Sequence, residues 1–316
     1  MRNYIETFPN IAPIKSNQLE NIPVTFIEAG MFMRISREQD SGNISLIVSE
    51  IPKNPERVDQ IDAVSKSVLL WGKRELRVNL AARIPTIGQI HFYSRSDYQK
   101  ITKICGLNPN SVASFWPENG NIFVMEDPNP TNTLARLQHE ILHRISFIAK
   151  CKRKDATQIQ SGYHNLASKT LGTFDEALTE MANIHIVMKY WGEQPELLSQ
   201  LKRRNLTKVG YQGEIIVVDE LIKRIADIKH QKYEDVFRRL QKGKVKGKIK
   251  TIQILAEVLD DEEMKIINEW APFEECLPRV VKALKVGRIK VKFDQYERGI
   301  GINILERMTP GVYIWH

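Results

Sequence analysis

Seven histidines occur among the 316 residues. Two of them stand four positions apart in the run His139-Glu140-Ile141-Leu142-His143. On an α-helix, residues i and i+4 share one face, about a turn apart. Two imidazoles so placed can both reach one Zn²⁺ at roughly 2.0–2.1 Å. Glu140, beside the first histidine, can take a proton from water at such an ion without ligating it. The pattern predicts metal-assisted hydrolysis, with His139 and His143 as ligands and Glu140 as general base. A catalytic zinc takes three protein ligands and keeps one position open. Downstream, the run Asp175-Glu176-Ala177-Leu178-Thr179-Glu180 offers the third. Glu176 and Glu180 are one turn apart, so one can ligate while the other accepts a hydrogen bond from a ligand imidazole. His185, on an apolar helix, and His164, in a polar loop, are rival third ligands.

These side chains need two rigid helices. The first is expected over 131–150, with Leu134, Leu137, Ile141, Ile145 and Ile148 as an apolar stripe and Asn132 or Thr133 as cap. The second is expected over 174–190, after a polar loop at 151–172. Ahead of them the spacing predicts a helix over 56–80, with Val58, Ile61, Val64, Val68 and Leu69 on one face. A strand at 89–93, a short helix at 96–105, a turn at 114–120 and a strand at 121–125 follow. Two alternating runs around Asp40-Ser-Gly-Asn43 read as a hairpin. The stretch 195–285 reads as almost wholly helical. The fold class is therefore α+β, divided into an extended arm (1–29), an α+β domain with the metal site (30–190), a helical subdomain (191–286) and a short β-like tail (287–316).

Composition narrows the class further. With 42% hydrophobic and 27% charged residues, the chain is globular rather than disordered. Lysine and arginine total 46 against 38 acidic residues, a formal charge of +8, which permits acidic partners without demanding them. Five lysines, Lys242, Lys244, Lys246, Lys248 and Lys250, form a basic run. No aromatic residues are interleaved with them for base stacking, so a solvated loop is expected there and nucleic acid is only weakly supported as a partner. Cys105, Cys151 and Cys276 are odd in number and far apart. They argue against a disulfide framework and an all-cysteine zinc site and suggest free thiols in a reducing compartment. No run approaches 18 apolar residues and no signal peptide is visible, so the expected setting is cytoplasmic, without a membrane.

His139–His143 followed by Phe174-Asp-Glu-Ala-Leu-Thr-Glu180 resembles the gluzincin clan of zinc peptidases, which hold their metal with two His and one Glu. The acid four residues after Glu176 is similar to the thermolysin-type pattern. Upstream, Ile90-His-Phe-Tyr-Ser-Arg-Ser-Asp-Tyr98, Ala113-Ser-Phe115 and Gly120-Asn-Ile-Phe-Val124 resemble the lead-in of the peptidase MA-like family. The resemblance implies a zincin-like core, a small mixed sheet plus the active-site helix. It implies Zn²⁺ on His139, His143 and Glu176, with Glu180 behind a ligand imidazole and a peptide or protein as substrate. It also implies that 121–125 is the edge strand on which an extended peptide pairs. Val209-Gly-Tyr-Gln-Gly-Glu214 resembles an aminopeptidase-type segment whose tyrosine donates to the tetrahedral intermediate, and Tyr211 takes that place.

Departures are visible too. The third-ligand segment reads Thr-Phe-Asp-Glu-Ala where the family has Trp-Leu-Asn-Glu-Gly, and no Gly-Ala-Met-Glu-Asn segment exists to recognise a free N-terminus. Two other readings stay open: a metal-binding module without catalysis, and a zincin directed to nucleic-acid-bound or regulatory proteins.

Overall fold

Capping residues decide where this chain turns helical. The structure is a computed structural model that describes residues 50–105, 110–117, 120–152, 157–165, 171–201 and 211–269. The expected arm, the hairpin and the β-like tail lie outside the described residues. Helix α1 (Pro55–Trp71) starts after Asn54, whose side chain accepts from the Arg57 amide at 2.8 Å. Pro55 takes the first helical position, where its missing N–H costs no hydrogen bond. Ile61, Val64 and Val68 are buried as the spacing required. The helix stops at Trp71, short of the expected 80, and widens into a π-helical turn, Gly72–Leu76.

Strand β1 (Ile90–Tyr93) and helix α2 (Arg95–Cys105) follow, then β2 (Ala113–Trp116) and β3 (Asn121–Met125). They make a three-stranded sheet in the order β1-β3-β2, with β1 parallel and β2 antiparallel to β3. Two expectations are corrected here. Residues 121–125 form the central strand, not the edge. Residues 114–116, expected in a turn, belong to the edge strand β2. The burial pattern gives the reason: all five residues of β3 are buried, as a strand covered on both faces must be, whereas β2 is half-buried throughout.

Helix α3 (Pro130–Ile145) runs through the middle of the molecule. Its cap is Asn129, which accepts from the Thr131 amide at 3.1 Å, rather than Asn132 or Thr133, because Pro130 already fits the first turn. Leu134, Leu137, Ile141 and Ile145 have no measurable exposure. The helix ends five residues earlier than expected. Ser146 turns to extended backbone and its Oγ donates to the Leu142 carbonyl, 2.7 Å away. The segment expected as a polar loop instead forms a second antiparallel sheet, β4 (Ile148–Lys152), β5 (Thr157–Ser161) and β6 (His164–Asn165).

Helix α4 (Gly172–Tyr190) lies against α3, and α1 packs on both. Helices α5 (Pro195–Leu201), α6 (Gln212–Lys229), α7 (Tyr233–Lys246), α8 (Gln253–Ala256) and α9 (Asp261–Glu269) complete the order. The basic run is corrected as well: its first half is the last turn of α7, not a loop. Val236, Phe237, Leu240, Gln241 and Lys244 share the buried side of that helix. The described chain is thus mixed α and β, mainly helical, with a small three-stranded sheet beside α3.

Candidate metal centre

Burial of α3 and α4 against each other forces polar side chains together. His139 and His143 project from one side of α3, and their Nε2 atoms stand 3.0 Å apart. Glu176, from the first turns of α4, brings its Oε2 to 3.1 Å from each of those nitrogens. Among the described residues, His139, His143 and Glu176 are the group whose side chains can hold a metal ion. Glu180, one turn further along α4, reaches a different atom: its Oε2 lies 2.7 Å from His139 Nδ1.

That last contact fixes the tautomer. An ionised carboxylate only accepts, so His139 Nδ1 must carry the hydrogen, which leaves the Nε2 lone pair facing the cluster. Two imidazole nitrogens and a carboxylate oxygen then converge at 3.0–3.1 Å on each side. Lone pairs so close repel unless a cation or a proton lies among them. Tetrahedral zinc with bonds of roughly 2.0–2.1 Å asks for donors slightly over 3 Å apart, and two imidazoles with one carboxylate is a set it accepts. The residues present therefore fit such an ion. The same convergence attracts a proton. Burial opposes a charged His139, but its hydrogen bonds to Glu176 and Glu180 win and push its pKa up to about 10. Burial also opposes a charged Glu176, yet His143 and His139 hold its carboxyl well below the usual range.

Behind Glu180 a buried chain of amides sets its position. Asn183 Nδ2 donates to Glu180 Oε2 at 3.0 Å, Gln138 Nε2 donates to Asn183 Oδ1 at 2.7 Å, and the Trp191 indole donates to Gln138 Oε1 at 2.6 Å. In a buried network every partner must be met, so each member orients the next. His143 has a carboxylate behind it too. Asp175 Oδ2 is 3.7 Å from its Nδ1, a charge contact longer than a hydrogen bond. Asp175 also accepts from the Tyr163 amide at 2.8 Å and from Lys244 Nζ at 2.7 Å.

Glu140 is buried beside the cluster without joining it. Burial pushes its pKa up, and the Phe115 amide of β2 donates to its carboxylate. Tyr211 stacks on the His139 ring, centroids 6.0 Å apart and planes 14° off parallel. Its hydroxyl hydrogen-bonds to Glu176; that charge, then burial, raises its pKa. Tyr211 also sits at φ 56, in the left-handed region that a bulky residue rarely adopts and that recurs at functional sites.

The two rival ligands go elsewhere. His185 turns from the cluster and bonds through Nε2 to Glu75 Oε1 at 2.7 Å. His164 sits on β6 with its ring against Gly172, outside the ligand group, and burial pushes its pKa down. Sequence reasoning missed Asp175, Lys244, Gln138 and Asn183. A signal existed for Lys244, which continues the α7 stripe of Phe237 and Leu240 at helical spacing. None existed for Gln138 and Asn183, whose partners lie 45 residues apart in the chain. Comparison with protein families, characterised proteins and solved structures returns no match for this chain.

Proposed function

We propose that this chain is a zinc-dependent peptidase with a zincin-like core. The observation that carries the reading is the convergence of His139 Nε2, His143 Nε2 and Glu176 Oε2, with the buried Glu140 beside them but outside the set. His139, His143 and Glu176 would hold the ion. When bound, zinc supplies Lewis-acid polarisation of a carbonyl and of water.

The rest falls to the protein's own groups. Glu140 takes a proton from water and passes it to the leaving amine, a role that a buried carboxylate with a raised pKa suits. The Phe115 amide holds that carboxylate in one orientation. Glu180 and its amide chain keep His139 in the required tautomer. The Tyr211 hydroxyl, whose single hydrogen goes to Glu176 in this structure, would turn that hydrogen to the oxygen on which charge develops.

The substrate's main chain has an edge to meet. The carbonyls of Val112 and Trp116 bond inward, to Met125 and Gly120. By the alternation of an antiparallel pair, Ala113 and Phe115 turn their main-chain groups outward from β3; the Phe115 amide is taken by Glu140, which leaves the Ala113 amide and the Phe115 carbonyl for a substrate. An extended peptide adding there would lie beside Glu140.

The test is metal analysis and a general peptide library on the purified chain and its Glu140→Gln variant. Near-stoichiometric zinc in both proteins is expected, with hydrolysis in the parent alone. A parent without zinc, or a variant that hydrolyses as fast as the parent, sinks the proposal.

A further inference from the structure

We propose that Lys244 is a positioning residue of the metal centre, holding Asp175 behind His143 and fixing the helical turn that presents Glu176. The inference rests on the metal centre and not on peptide hydrolysis.

Lys244 is only 2% exposed, although it stands in a run of lysines that reads as solvated. A lysine head group stays in the interior only where its charge is paired and its hydrogens are met. All three partners of Lys244 Nζ are on the first turns of α4: Asp175 Oδ2 at 2.7 Å, the Asp175 carbonyl at 3.1 Å and Thr179 Oγ1. Thr179 Oγ1 itself donates to the Asp175 carbonyl at 2.7 Å. One cation thus grips both the side chain and the main chain of the residue before Glu176.

Asp175 has its other oxygen tied to the Tyr163 amide, so its Oδ2 stands between Lys244 and His143 Nδ1. The surrounding chain makes room for this pair. Gly162, at φ 60, would carry a Cβ 2.5 Å from Asp175 Oδ1 and 2.9 Å from Lys244 Cε. Stability alone does not call for the arrangement, because well-packed apolar residues replace buried ion pairs at little or no loss. What an apolar pair cannot do is hold a carboxylate against a ligand imidazole. A carboxylate hydrogen-bonded there orients the ring and raises its basicity, and losing it typically weakens metal binding about 10–100-fold. Asp175, at 3.7 Å, acts on His143 through its charge, at the low end of that range.

The experiment measures zinc affinity by competition with a chelator, alongside denaturant unfolding of the metal-free chain. Lys244→Met leaves Asp175 buried and unpaired, so lower stability and weaker zinc binding are both expected. The informative variant is the double change Asp175→Asn with Lys244→Met, which removes both charges at nearly constant shape. It should recover most of the lost stability and still bind zinc about 10-fold more weakly than the parent, the low end of the range for a carboxylate behind a ligand imidazole. A Co²⁺-loaded double variant should also show a shifted visible spectrum, since the His143 ligand field changes.

Parental zinc affinity in a stable double variant overturns the proposal and leaves the pair a packing device. A double variant that does not fold assigns the pair to the fold and overturns it as well. A parent that binds zinc but hydrolyses nothing removes the peptidase reading and leaves this one standing. A parent that binds no zinc removes both.

Discussion

Both ends of α4 bring imidazole and carboxylate together, and they reach opposite chemical states. Near its start, Glu176 and Glu180 meet His139 and His143. Near its end, His185, Lys189 and Tyr190 meet Glu75 of the π-helical turn. All three donate to one oxygen, Glu75 Oε1, at 2.7, 2.9 and 2.8 Å. Burial works against a charged Glu75, yet His185, with Lys189 and Tyr190, brings its pKa down to about 2. That end is closed: a carboxylate facing three hydrogens. At the other end His139 commits its Nδ1 hydrogen to Glu180, so its Nε2, the Nε2 of His143 and the Glu176 oxygen converge with a place among them for a cation or a proton. The contrast teaches that residue type does not make a metal site. The count of hydrogens among the converging atoms does, and that count is set by what stands behind each ring.

The comparison breaks most completely if histidines at the two ends prove interchangeable. His139→Ala or His143→Ala should abolish stoichiometric zinc by elemental analysis, whereas His185→Ala should keep it. Full zinc in either of the first two, or its loss in the third, would reverse the assignment of the ends.

Tyr211→Phe comes next in size. With zinc and folding retained, it should lower kcat by about 10²–10³, the usual cost of one donor to a developing oxyanion. Unchanged turnover would take Tyr211 out of the reaction and leave its left-handed backbone without a role in it.

Glu180→Gln sharpens the contrast within the open end. It keeps the shape but alters the acceptor behind His139, so zinc affinity should fall about 10–100-fold, with Glu176→Gln much worse. The reverse order, read by chelator competition, would make Glu180 the ligand.

The smallest effect belongs to the closed end. Glu75→Gln should destabilise the chain by about 1–3 kcal/mol, as the buried donors His185 and Tyr190 lose their charged acceptor, and leave zinc binding alone. Its pH dependence has a definite sign. The folded pKa of Glu75 lies below its ordinary 4.5, so its stabilisation is present above that value and is lost as pH falls towards about 2. The gap in unfolding free energy between parent and variant should therefore narrow over that window. A gap that stays constant would mean the three donors do not act through charge.

Much of the candidate site was legible because it is local. The histidine pair, Glu140 between them and the Glu176/Glu180 pair all follow from one helical turn. The apolar stripe on α3 follows from the same period, and α3 and α4 lie where it requires. The strands were harder. β2 is only four residues beside turn-forming Pro117 and Gly120, and β4, β5 and β6 carry many polar residues, so neither composition nor length separates these strands from loops. β3 could be seen as a strand but not as a central one, since its neighbours were unknown.

Sequence by itself determined which side chains share a helix face, because bond geometry sets the rise and turn of the chain between close neighbours. Tertiary structure alone decided what those faces meet. His139 finds Glu176 across 37 residues, Lys244 finds Asp175 across 69, and His185 finds Glu75 across 110. Such partners are fixed by how buried surfaces fill space, and a buried charge then settles on whichever opposite charge or hydrogen the packing has left beside it.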